Sequence, residues 1–209
     1  MMINDVEQIQ SLLLEESKQF DDPIAKRRFF MTSPGCSHKR IIELKKVLPG
    51  IPDSYTKWIE SINLNGVSLG YFELSPSAAN STDIVGNIID ANDTTMFRNL
   101  MEKHGLYLIA TTDYYGIFVA NGSSKYDEGE IVIIDEEIFS NLDRPRENNI
   151  QTLAKDFKEF LLGIANLYQI RGELIKSDLN KEQKKTEFIE RLKILGVDEK
   201  YHQAWMSVF

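Results

Sequence analysis

The chain is poor in the residues on which most recognisable chemistry and targeting depend. Its 209 residues include one cysteine, Cys36, three histidines and two tryptophans. A lone cysteine excludes an internal disulfide. No apolar run approaches the roughly 18 to 20 residues that a membrane-spanning helix requires, the longest being short pieces such as Ile131 to Ile134. The opening MMINDVEQIQ has neither the basic stretch nor the apolar core of a secretory signal, so a cytoplasmic location without membrane attachment is expected. The motifs GxxxxGKS/T, GxGxxG, GxSxG, HExxH and CxxC are all missing, and with them the common routes to phosphate, dinucleotide, acyl and metal chemistry. The expectation is a protein that is not an enzyme and carries no cofactor.

The few reactive residues have plain structural readings. Cys36 and His38 lie two positions apart, but nucleophile and base normally come from separate elements, so no dyad is expected. His104 precedes Gly105, where an imidazole meets the C-terminal end of a helix dipole. With His202 isolated, the three histidines make no zinc pattern. The acids Asp90, Asp93, Asp127, Glu128 and Glu130 lack the glycine and terminal glutamate of an EF-hand register, so they read as solvated loop residues and no metal site is expected.

What the chain has in quantity is acid, and it is unevenly placed. Hydrophobic residues at 42% and charged residues at 27% are ordinary for a globular protein. The net charge is −8. Residues 1–50 hold eight basic and seven acidic residues, and residues 151–209 hold ten and nine, leaving each end at +1. Residues 51–150 hold six basic and sixteen acidic residues, a balance of −10. Such a field repels nucleic acid and attracts basic partners, although solubility alone also accounts for it.

Hydrophobic spacing gives the organisation. Val6, Ile9, Leu13 and Phe20 predict a first helix over roughly Asn4 to Gln19, with Asn4 as cap and Asp21-Asp22-Pro23 as its end. MTSPGCSH, Met31 to His38, reads as a connection, and Ile41, Ile42, Leu44 and Val47 then recur helically. In LPGIPDSYTKWIESINLNGVSLGYFE, Pro52 and Asp53 start a helix, Tyr55, Trp58, Ile59 and Ile62 form its apolar stripe, and Asn65-Gly66 is expected to stop it ahead of an aromatic strand. The segment SPSAANSTDIVGNIIDAND reads as a long polar loop with binding potential. Asp93 or Thr94 is expected to cap a helix bearing Met96, Phe97, Leu100 and Met101 that Gly105 ends.

Leu106–Thr112 and Tyr115–Ala120 read as a hairpin around Asp113-Tyr114, and Glu130–Asp135 as a third strand. Leu153, Phe157, Phe160, Leu161 and Ile164 are expected on one face of a helix. Phe188, Leu192 and Leu195 mark another that Gly196 breaks, and Tyr201, Trp205 and Phe209 share a face of a last one that packs back on the domain.

This order resembles the SUKH superfamily, which includes bacterial toxin-immunity proteins and fungal regulators of cell-wall assembly. The resemblance runs from Ile41 to Leu167 and is carried by LPGIPDSYTKWIESINLNG, by LYLIATTDYYGIFVA, by the strand before Asp135 and by the closing helix with Phe157 and Phe160. Family members often have a second glycine after Asn-Gly, where this chain has Val67. The resemblance implies an α+β fold, with an antiparallel sheet of about four to six strands flanked by helices. The chain divides into residues 1–36, an N-terminal helix and connection; residues 37–172, the SUKH-like domain; and residues 173–209, a helical extension.

The function that the resemblance implies is neutralisation of a cognate toxin by binding it. An acidic protein suits a basic partner such as a nuclease-type toxin domain. Candidate contacts are Asp83, Asp90, Asp93, Asp127, Glu128, Glu130, Glu136 and Glu137, with Tyr114, Tyr115 and Tyr126 as aromatic anchors. The other branch of the family implies a regulatory or scaffolding module. A monomer or weak homodimer is expected.

Overall fold

The computed structural model describes residues 2–76, 83–135, 150–176 and 180–209. Its centre is a six-stranded antiparallel sheet in simple sequence order. The strands are β1 (Ser68–Leu69), β2 (Phe72–Glu73), β3 (Leu106–Thr111), β4 (Tyr115–Ala120), β5 (Ile131–Asp135) and β6 (Ile150–Ala154). Around it, among the described residues, are α1 (Val6–Ser17), α2 (Pro23–Arg27), α3 (His38–Val47), α4 (Asp53–Ser61), α5 (Ile84–Asn92), α6 (Thr95–His104), α7 (Phe157–Lys176), α8 (Lys181–Ile194) and α9 (Glu199–Ser207). The expected α+β class, with helices before and after the sheet region, is what the structure has.

The central strands read as nearly unbroken apolar runs because both sheet faces are covered. Successive side chains point to opposite faces. Tyr107, Ile109, Ile117, Val119, Ile131 and Ile133 therefore enter a large core shared with α4, α7 and α9, while Leu106, Leu108, Phe118, Ala120, Val132 and Ile134 enter a smaller one with Leu100 and Phe97 of α6. Helix α6 ends as the sequence predicts: Thr94 accepts from the Phe97 amide, and Gly105 takes the left-handed conformation at φ +61° that closes it.

Both terminal segments join the large core. Ile9 and Leu13 of α1, Phe188 and Leu192 of α8, and Tyr201 and Trp205 of α9 are all buried. The buried Asn166 of α7 accepts from the Ile3 amide at 3.1 Å and donates to its carbonyl at 2.8 Å, pinning the segment ahead of α1. Asn92, at the end of α5, does the same for Leu108, accepting at 2.8 Å and donating at 2.9 Å. The reason lies in the sheet: β2 pairs with β3 only at Glu73 and Thr111, so the outward main-chain groups of Leu108 find a side-chain partner instead.

Five expectations need correction. The first helix is capped by Asp5, which accepts from the Gln8 amide at 2.8 Å; Asn4 lies outside it and donates its own amide to the Gln8 side chain. Asp22-Pro23 opens α2 rather than simply closing α1. Helix α4 stops at Ser61, before Asn65-Gly66, because Ile62 is extended and Asn63 bridges to Thr32. The supposed loop carries α5, capped by Asp83, with Ile84, Val85 and Ile88 buried. Leu153 belongs to strand β6, not to the following helix, which starts only after Asp156 caps the Glu159 amide at 2.7 Å.

Candidate functional site

The candidate contact residues fall in three places. The first is the β4–β5 loop, residues 121–130. Its base is tied by main-chain bonds from Asn121 N–H to Gly105 C=O and from Gly129 N–H to Ala120 C=O, and the Ser124 hydroxyl donates to the His104 carbonyl at 2.7 Å. Asp127 and Glu128 project from this loop and are exposed, whereas Tyr126 and Glu130 turn inward and are buried.

Glu130 is held from several sides. One carboxylate oxygen accepts from the Asp127 amide at 3.0 Å, and the other accepts from the Tyr201 hydroxyl at 2.9 Å with Lys200 Nζ 3.5 Å away. Burial pushes the Tyr201 phenol up to about 12, so it stays a protonated donor to the carboxylate. Glu130 thus fastens the loop to α9 and lies behind the surface on which the sequence placed it.

The second place is the β3–β4 turn. The Thr112 hydroxyl accepts from the amides of Tyr114 and Tyr115 at 3.1 and 2.9 Å, so threonine supplies the turn chemistry expected of Asp113. Asp113 is exposed and the Tyr114 side chain is 69% exposed. Tyr115 is half-buried, paired across the sheet with Asp135, and its phenol is pushed up by burial first and by the Asp135 charge second. The five residue steps of β4 separate this tip from the β4–β5 loop by about 17 Å.

The third place is α5. Asp83 caps the helix and pairs with Arg40, whose guanidinium holds the carboxyl below the usual range. Asp93 pairs with Arg98, and Asp90 is exposed. Glu136 and Glu137 lie outside the described residues.

The structure thus brings Asp127 and Glu128 together and separates them from Tyr114. It also sorts the acids by what already neutralises them. Asp53, Asp83 and Asp93 have basic partners within the chain, whereas Asp90, Asp113, Asp127 and Glu128 have no ion pair among the described residues.

The residues considered for catalysis do not converge. His38 Nδ1 lies 2.9 Å from Glu60 Oε1, and burial is the main cause that pushes the Cys36 thiol up, away from the reactive thiolate. The pKa of the His104 imidazole is lowered, by burial first and then by Lys125 and Lys103, which disfavours the partly protonated ring that would suit the helix dipole. Among the described residues, no three His, Cys, Asp or Glu side chains are grouped to hold a metal, and no helix is long and apolar enough to cross a membrane.

Sequence reasoning missed that Lys125 and Glu130 meet Lys200 and Tyr201, some 70 residues later, in one cleft. Tyr201 was legible as an apolar helix position, but nothing local signals that its hydroxyl meets a carboxylate. In comparison with known proteins, the chain matches no family model, no curated protein and no solved structure.

Proposed function

We propose that this chain is a non-enzymatic binding protein of the SUKH type, which neutralises a basic toxin domain by holding it against the β4–β5 loop. The observation that carries the reading is the pair Asp127 and Glu128, exposed on a fastened loop and without an ion pair among the described residues. Exposed charge that the fold does not use is free to steer a partner of opposite sign, raising the association rate at low ionic strength. The loop is also pre-ordered by the Glu130–Tyr201 bond, so little conformational freedom is lost when a partner docks.

The test is a pull-down from the native cytoplasm, comparing wild type with Asp127→Lys/Glu128→Lys. Glu130 is left intact because its buried carboxylate holds the loop. A basic toxin domain retained by wild type and lost by the variant is the expected result, with association of the purified pair slowed about tenfold or more at low salt. Retention of the same partners by both proteins would overturn the reading.

A further inference from the structure

Where the β4–β5 loop, β6 and α9 meet, a cleft of about 630 Å³ opens to solvent. That is within the range of small-molecule sites, roughly 300 to 1,000 Å³. Its charge runs against that of the molecule. Lys125 and Lys200 both line it, opposed among the described residues only by Glu130, whose carboxylate is already held by Tyr201, the Asp127 amide and Lys200. Each ammonium stands over a tyrosine ring, Lys125 at 5.2 Å from the Tyr126 centroid and Lys200 at 4.6 Å from that of Tyr201. Both tyrosines are buried, with one ring face under a lysine, and so offer little surface for an aromatic ligand to stack on.

The remaining lining is hydrogen-bonding. Gln151 and Thr152, consecutive on the last strand of the sheet, line the same cleft together with Gln203, and their side chains make no hydrogen bond among the described residues, where Lys125 also has no carboxylate partner. Apolar contributions come from Ile150 and Ala204. Two ammonium groups beside residues with amide and hydroxyl hydrogen-bonding groups match a ligand that carries one anionic group and several hydroxyls. A cation meets the lysines, and an apolar molecule finds too little apolar lining.

We propose that this cleft binds a free, monosaccharide-sized hydroxylated anion, of the sugar-phosphate or sugar-acid class. Lys125 and Lys200 take the acidic group, and Gln203 and the β6 segment at Gln151 and Thr152 take the hydroxyls. The site does not depend on the toxin-binding reading, since Asp127 and Glu128 are not part of its lining.

The experiment follows amide shifts of the labelled protein during titration with glucose 6-phosphate and with glucuronate, using glucose and inorganic phosphate as controls. Saturating shifts at Gln151, Thr152 and Gln203 are expected, with at least one acid bound about fivefold or more tighter than both controls. The variant Lys125→Gln/Gln203→Ala alters exposed side chains whose one contact among the described residues is that of Lys125 with the Tyr126 ring, so its melting temperature stays close to that of wild type while affinity falls about fivefold or more. Absence of saturation by either acid below about 10 mM would overturn the proposal. So would equal binding of inorganic phosphate, or affinity that the variant leaves intact.

Discussion

The C-terminal helices and the sheet's loops treat charge in opposite ways. On α7 and α8, Lys184 Nζ contacts Glu173 at 2.5 Å and Glu187 at 2.7 Å, and Arg191 contacts Glu187 at 2.5 Å, with both basic side chains nearly buried. This set neutralises itself and belongs to the packing. On the β4–β5 loop, Asp127 and Glu128 are exposed without such partners among the described residues. The near-zero balance of residues 151–209 and the −10 of residues 51–150 therefore differ in kind as well as in size. Paired charge stabilises a fold, whereas unpaired exposed charge contributes little to stability and much to association.

The comparison can be tested by how much each region loses. The largest effect belongs to Trp205, fully buried among Phe160 and Phe188, with Gly163 so close that an added Cβ would lie 2.3 Å from its ring. Trp205→Ala is expected to cost about 3–5 kcal/mol in chemical denaturation. A loss below about 1 kcal/mol would mean that the C-terminal helices are an appendage rather than part of the core.

Asn92→Ala comes next, at about 2–4 kcal/mol, because it leaves the Leu108 amide and carbonyl buried without their partner. Hydrogen exchange at the Leu108 amide should accelerate, while the β4–β5 ladder stays protected.

Lys184→Met is expected to cost about 1–2 kcal/mol at pH 7, and less at high salt. Lys184 is the largest cause holding the carboxyls of Glu173 and Glu187 below their usual range. Their contribution is therefore complete above the unfolded value near 4.3 and disappears as pH falls through the lower folded values. The melting-temperature gap between wild type and variant should thus shrink between pH 6 and pH 3, and a gap that widens on acidification would refute the assignment.

The smallest stability effect is expected from Asp127→Lys/Glu128→Lys, within about 0.5 kcal/mol of wild type by thermal melting. A larger loss would place these acids with the paired set and remove the contrast between the two regions.

Much of this architecture was legible in the chain. Helix α6 was written by Thr94 and Gly105, the β3–β4 hairpin by two β-rich runs, and the packing of the last helix by Tyr201, Trp205 and Phe209. Misreadings came where a short segment's state depends on what lies beside it. Ile150–Ala154 has an apolar residue at Leu153 that fits the period of the following helix, and only the neighbouring β5 makes it a strand. Ile84–Asn92 sits in a polar stretch, and its apolar positions become a helix face once β3 and α3 are there to cover them.

The candidate site divides in the same way. Acid content, its central location and the exposed Tyr114 turn follow from composition and turn signals that act over a few residues. The inward position of Glu130, its bond to Tyr201 and the basic cleft beside them join residues separated by 71 positions or more. The sequence by itself determined the period, caps and turns of most elements, because each depends on neighbours three or four residues away. Only the tertiary structure decided which charges are neutralised and which face solvent, because that depends on groups the folded chain brings together in space.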